Sequence, residues 1–483
     1  MKIRRAHELK NEPTLVIYDK KQTAETSRDE LNALIRADHD KYEDKTGLRY
    51  WREKDTFILV IDNEADLNDL QKELRAAVKA VAAEKYEKAQ VVVLSDLFKK
   101  HLRPALEALF LADYAFDRYM DSGIEPIDPS AEDKDEDEKK LNELAIIIDD
   151  ENADIALCEA NVITNNIIFA RNLVNEPANT LTPTALSERA AELGKKEGFD
   201  VEIFGVDKIR ELGMDAYYSV AKGSDEEPKL IRMTYKGNPD SDKHLALVGK
   251  GLTYDSGGYA IKPTAGMVTM FCDMGGSAAV IGAIGALAGM RAKVNVTAIV
   301  AACENMISGR AFKNGDIIGS LSGKKIEVVN TDAEGRLTLA DAVTYADKVV
   351  GATHIIDIAT LTGAVVIGLG NTITGVLADD EDLWNALQKA SDRSGDKVWR
   401  LPIDKDLAKC NESKRADIKN SGGRPGGSIT AGLFVRAFAG KKPWMHMDIA
   451  ATAYNDSDNG RQPEGATGCG VELLYDTAKT LFE

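Results

Sequence analysis

Histidine is scarce. The chain has 6 in 483 residues and no HExxH pattern, which removes the common helical zinc-protease reading. Cysteine is equally thin. Cys158, Cys272, Cys303, Cys410 and Cys469 are scattered, odd in number and without CxxC spacing, which points to reduced thiols and a cytoplasmic setting. No GxSxG elbow is present, and Gly323-Lys324 runs into Lys325 without the earlier glycine of a P-loop, so neither a serine hydrolase nor a P-loop nucleotide site is indicated. No basic stripe marks the N-terminal region, and the net charge of −18 argues against nucleic acid or an anionic membrane as a general partner. The basic start, residues 1–5, is not followed by an apolar core, so a secretory signal is not expected. The longest small-apolar run, 275–290, is short for a membrane span and rich in Gly and Ala; it reads as a buried helix.

Acidic side chains are what the chain has in an unusual place. In residues 329–342, VNTDAEGRLTLADA, Asp332, Glu334 and Arg336 recur at every second position after the β-branched run 326–329. An extended segment would turn all three to one face at the end of a strand, the usual place for ligands in open α/β sheets. A second cluster lies upstream, in VGKGLTYDSGGYAIKP and MVTMFCDMGGSAAV, and supplies Lys250, Asp255, Lys262 and Asp273. The run 244–249 reads as a buried strand that leaves Lys250 at its end. Asp255-Ser256-Gly257-Gly258 is turn chemistry. Plainer readings exist for single residues: a helix cap for Asp273, a salt bridge for Arg336, core filling for Met270. Taken together, however, four carboxylates in one pocket require compensating charge, and two divalent cations supply it. An oxygen-rich shell without histidine suits Mg, Mn or Zn. A lysine amine can join that shell only when neutral, so Lys250 is expected as a neutral ligand and Lys262 as a cation facing substrate.

These segments resemble the leucyl aminopeptidase (cytosol aminopeptidase) family, whose signature is NTDAEGRL. The resemblance extends through KGLTYDSGG, IKP, DMGG, ENMISGRAFKNGD, DIATLTGA and GGSITAGLF, with RNLVNEPANTLTP at the entry to the catalytic domain. It implies a two-metal exopeptidase in which Lys250, Asp255, Asp273, Asp332 and Glu334 hold Zn or Mn, with Mg as a further choice. It also implies that Asp255 and Glu334 bridge the metals and that a metal-bridging hydroxide attacks the first peptide bond. Lys262 and Arg336 take catalytic roles, Lys262 at the oxyanion and Arg336 holding a bicarbonate. Met270, Ala333, Thr360, Leu361 and Gly363 resemble the substrate pocket, suited to Leu or another neutral, apolar N-terminal residue. The partners implied are peptides with a free N-terminus and five further copies of the chain, in a homohexamer. One departure stands out: Phe271-Cys272 precedes Asp273 where the family usually has a lysine and a variable residue.

The length predicts two domains, and 44% hydrophobic residues is ordinary for a globular protein. The expected class is α/β, two domains, each a mixed sheet flanked by helices. Residues 1–170 form an N-terminal domain with a linking helix, and 171–483 a larger catalytic domain. Strands are expected at 15–18, 57–61, 91–94, 144–148 and 354–359, with helices at 66–81, 97–111 and 153–174. The run 131–140, AEDKDEDEKK, reads as a solvated mobile loop. Bridged metals also serve phosphoryl transfer, so a phosphoesterase is the alternative enzyme. A nucleic-acid-binding regulator and a non-catalytic homologue are the readings outside catalysis.

Overall fold

The computed structural model describes residues 1–20, 26–42, 45–120 and 140–483. Apart from Lys140, the charge run at 131–140 falls outside the described residues. The chain divides into two compact units, Met1–Thr164 with Asp458–Pro463, and Asn165–Ser457 with Glu464–Glu483.

The first unit is a six-stranded sheet of β1 (Lys2–Arg5), β2 (Thr14–Asp19), β3 (Gly47–Trp51), β4 (Thr56–Ile61), β5 (Lys88–Val93) and β6 (Glu143–Ile148). Their order is β1-β6-β5-β2-β4-β3, parallel throughout except for the edge pair β3–β4. β2 and β4 are buried at every residue, which is why their sequences are continuous apolar runs rather than alternating ones. Asp66 caps the helix Leu67–Ala83 by accepting from the Asp69 amide, a standard use of a short acidic side chain. The helix expected over 97–111 is two helices, Asp96–Lys100 and Leu102–Leu111, parted at His101. Pro104 is the reason: its ring cannot sit in a helix interior but is accepted in a first turn.

The second unit begins with β7 (Asp200–Phe204), β8 (Lys229–Lys236), β9 (Leu245–Asp255) and β10 (Asn295–Asn305). Two short strands follow, β11 (Ile317–Ile318) and β12 (Ile326–Glu327), and then β13 (His354–Ala359), β14 (Ile373–Ala378) and β15 (Lys397–Arg400). β16 (Ile418–Lys419) and β17 (Trp444–Asp448) complete the larger elements. The main sheet has eight strands in the order β15-β14-β17-β13-β9-β10-β8-β7, with β17, β13, β9 and β10 mutually parallel at its centre. β11, β12 and β16 form a small separate sheet.

The helix Gly275–Gly289 packs on β9, β10 and β13 and is buried from Gly275 to Ala288. The stretch Thr264–Gly289 is long and apolar enough to cross a membrane by length and composition alone; its burial in the second unit makes it a core helix. Small residues set that packing. A Cβ on Gly276 would lie 2.1 Å from the Ile358 carbonyl oxygen, and one on Gly249 2.6 Å from that of Gly276. Backbone therefore approaches backbone where β9 and β13 hand over to the site.

Two expectations are corrected here. Lys250 does not end its strand, because β9 continues to Asp255. Its pairing with β13 stops at Gly249, while its pairing with β10 runs on to Asp255. Lys250 thus stands where one neighbour has peeled away. Nor do Asp332, Glu334 and Arg336 alternate along an extended segment. β12 ends at Glu327, Glu334 has helical dihedrals of φ −83 and ψ −36, and Arg336 is the second residue of the helix Gly335–Tyr345. The helix signal of GRLTLADA begins earlier than the alternating pattern suggests, and a turn does the gathering.

Candidate functional site

Four chain segments meet at the ends of the central strands. β9 contributes Lys250 and Asp255, both buried. The Lys250 Nζ lies 2.7 Å from Oδ1 and from Oδ2 of Asp273 and 3.1 Å from Oε1 of Glu334, and it donates to the Thr360 carbonyl at 3.0 Å. Asp255 accepts at Oδ1 from the Gly257 amide (2.9 Å) and from the Asn305 Nδ2 (2.8 Å), and its Oδ2 is 2.8 Å from the Lys262 Nζ. Lys262 also pairs closely with Asp332 Oδ1. Ligand oxygens of Asp255, Asp273 and Glu334 all lie within 4.8 Å of one another. Asp332 is not in that trio; it joins through Lys262.

Asp273 does not cap the helix it precedes. Met274 occupies that position without a side-chain bond, and Asp273 turns instead to Lys250 and to the Thr360 Oγ1 at 2.7 Å. Its Oδ2 faces only the Lys250 ammonium, at 2.7 Å, and the Oε2 of Glu334 is buried and accepts no hydrogen bond. A buried oxygen without a donor is costly, and this one belongs to a carboxylate of the trio.

Charge in the pocket is unbalanced. Four carboxylates face two ammonium groups. Burial raises the pKa of Glu334 and Asp273, and the neighbouring acid Asp255 raises both further. Burial pulls the two lysines the other way, but the acids prevail: Asp273, Glu334 and Asp255 hold Lys250, and Asp255 and Glu334 hold Lys262, above the usual lysine range. Without metal, Lys250 is therefore held as an ammonium; the neutral amine is expected of it only as a ligand to a bound ion. The donor set fits hard divalent cations: carboxylate oxygens, one amine, no thiolate and no imidazole. The two lysine ammonium groups stand between carboxylates as cations would.

Arg336 is buried, and its Nη1 donates to the Asn420 carbonyl at 2.9 Å while its Nε has no hydrogen-bond partner. Among the described residues it forms no ion pair, so the salt-bridge reading is not realised. Burial brings its pKa down to about 10, which leaves it a cation at neutral pH. Of the five pocket candidates, Thr360 hydrogen-bonds a site carboxylate. Ala333 is buried, and its carbonyl accepts from the Asn420 Nδ2. Met270 is half-buried in the turn Met270–Cys272, Leu361 half-buried in the loop after β13, and Gly363 exposed at the start of the helix Gly363–Leu369. Phe271, the departure from the family pattern, meets Tyr454 edge-on at 5.9 Å.

Three residues escaped the sequence reading. Asp448, fully buried at the end of β17, accepts from the Leu361 amide (3.1 Å) and the Thr362 Oγ1 (2.6 Å) and so clamps the loop that carries Thr360. The signal was available: an acid closing the apolar strand Trp444–Asp448 is a buried polar group in need of a reason. Asn420 orders the other wall through Val329, Asn330 and Ala333. Asn305 holds Asp255, and no spacing rule singles it out.

Residues 168–475 match the model of the cytosol aminopeptidase family, catalytic domain. Over 436 residues the chain is 45% identical to a probable cytosol aminopeptidase of Clostridium perfringens (strain 13 / Type A), covering 88% of this chain and 86% of that one. A probable cytosol aminopeptidase of Clostridium tetani (strain Massachusetts / E88) is 47% identical over 436 residues, 88% of each. Among solved structures, the bottromycin maturation enzyme BotP in complex with Mn superposes with a TM-score of 0.83 at 28% identity, covering 97% of this chain and 99% of that one.

Proposed function

The chain belongs to the cytosol aminopeptidase family, a metal-dependent hydrolase of peptide N-termini, and from that premise we propose how its own residues divide the work. The observation that carries the reading is the buried trio Asp255, Asp273 and Glu334 threaded by two lysine ammonium groups. Lys250, Asp255, Asp273, Asp332 and Glu334 would hold two divalent ions. Zn, Mn and Mg all suit the donors, and the Mn complex of the BotP neighbour makes Mn the first to try. When bound, such ions supply Lewis acidity and a water acidified to near neutrality.

Lys262, paired here with Asp255 and Asp332, is the cation that would stabilise a developing oxyanion. Arg336, with its Nε unused, offers a planar fork to a bicarbonate, an anion able to take up and return the proton that a guanidinium cannot. Met270, Ala333, Thr360, Leu361 and Gly363 line the N-terminal residue's pocket, which favours Leu or another neutral, apolar side chain. The protein works in the cytoplasm as a homohexamer, and the catalytic domain spans 171–483 after an N-terminal domain of 1–170.

The test is hydrolysis of leucine anilide by the full chain with added Mn or Zn, after prior stripping by chelator. Metal-restored release of the anilide supports the reading. Phosphoester hydrolysis in its place would transfer the same metals to the alternative chemistry.

A further inference from the structure

Asn305 closes β10 and is fully buried. Its side-chain amide donates twice, to Oδ1 of Asp255 at 2.8 Å and to the Thr331 carbonyl at 3.0 Å, one residue before Asp332. Its own backbone carbonyl accepts from the amide and the hydroxyl of Ser256, at 3.1 and 2.7 Å. One residue therefore ties the DSGG turn to the NTDAEG turn, the two segments that carry Asp255, Asp332 and Glu334.

The amide can point only one way. Rotated by half a turn, its oxygen would face the Asp255 carboxylate and the Thr331 carbonyl, two acceptors. The present orientation leaves Oδ1 without a hydrogen bond, a cost accepted in the interior for two well-made donors. A Cβ on Gly258 would lie 3.0 Å from that Oδ1, so the glycine pair leaves the space the amide needs.

The register shows how Asn305 reaches Asp255. β9 and β10 run in step to Leu252 and Cys303, after which Tyr254 pairs with Glu304 and Asp255 with Asn305. The extra residue, Thr253, makes a bulge. Without it Asn305 would stand beside Tyr254; with it, the two strands end on Asp255 and Asn305 together. Bulges re-aim side chains in this way beside functional sites.

We propose that Asn305 is a positioning residue for the ion pair: by saturating Oδ1 of Asp255 from the rear, together with the Gly257 amide, it commits Oδ2 to the pocket and locks the Asp255 and Asp332 turns at one separation. The inference rests on the two-ion reading given above. Partners behind a metal's ligands fix ligand orientation, and their loss typically weakens metal holding about 10- to 100-fold.

The experiment times the loss of Mn or Zn from the loaded full chain into excess chelator, for wild type, Asn305→Leu and Asn305→Ala. Leucine is close to asparagine in size and cannot donate; alanine is the second variant should leucine hinder folding. The expected result is metal release about 10- to 100-fold faster in the variants, with far-UV circular dichroism and melting of the metal-free protein close to wild type. A purely structural role would lower the metal-free melting temperature and leave the release rate alone. Release at the wild-type rate from either folded variant overturns the proposal. So does failure of both to fold, since Asn305 would then act on the fold rather than on the ions. A wild-type protein that takes up no ions would instead defeat the parent reading, and is read first.

Discussion

At the scale of single residues, two side chains with the same chemistry are set for different work by their surroundings. Lys250 is 4% exposed and faces Asp273 and Glu334; Lys262 is more open and bridges Asp255 and Asp332. Lys262→Ala is expected to lower kcat about 100- to 1,000-fold, the range for removal of one oxyanion partner, with KM for a leucine anilide changed far less. Steady-state kinetics at saturating metal measures it, and an equal loss in KM alone would reassign Lys262 to binding. Lys250 leads to a pH prediction. Its acid neighbours hold it above the ordinary lysine range in the metal-free protein, yet a ligand amine must be neutral. Metal uptake should therefore expel protons, and apparent affinity should rise with pH and fall as pH falls. Calorimetry of metal binding in buffers of different ionisation enthalpy reads the protons released; a value of zero near neutrality would place Lys250 outside the ligand set.

At the scale of elements, glycine decides how close the site's supports come, and two positions separate packing from function. A Cβ on Gly276 meets the Ile358 carbonyl oxygen at 2.1 Å, a backbone atom that cannot step aside. Gly276→Ala should cost about 1–3 kcal/mol of stability through overpacking, seen as a lower melting temperature of the metal-free protein. A Cβ on Gly335 instead meets Cε and Nζ of Lys250, at 2.3 and 2.7 Å. The far end of a lysine can move, so Gly335→Ala should displace the amine and weaken metal holding about tenfold or more with a smaller effect on melting. Equal effects of the two substitutions on metal affinity would contradict this division. The elements also show where sequence reading stops. The buried strands β2, β4, β5 and β13 were legible as apolar runs, because burial on both faces leaves no other pattern. The continuation of β9 past Lys250 was not, since it depends on which neighbour the strand pairs with; the break at His101 and the helical state of Glu334 had local signals, in Pro104 and in GRLTLADA, that the apolar and alternating patterns overrode. Lys250, Asp255, Asp273, Asp332, Glu334, Lys262 and Arg336 were legible as one group of candidates because two clusters of acids with basic partners lie in short stretches, where a single such residue would have a plainer reading. Asp448 and Asn305 were not, because a supporting residue is recognised by what it touches.

At the scale of the whole molecule, each unit has its own sheet and its own core, while every residue in the proposed chemistry lies in the second. A homohexamer would give light scattering a mass of six times 52.5 kDa, and a sample of monomers alone across micromolar concentrations would remove it. The sequence by itself determined the reactive inventory: four acids, two lysines and an arginine within two short stretches, without histidine or paired cysteines to suggest another metal chemistry. Side-chain type is fixed by covalent structure and needs no fold to be read. Only the tertiary structure decided that Asp273 turns from its helix to Lys250, that Thr360 reaches the same carboxylate from the loop after β13, and that a one-residue bulge sets Asn305 behind Asp255. These are contacts across 23, 87 and 50 residues of chain, and strand pairing and close helix packing, not local pattern, bring their partners together.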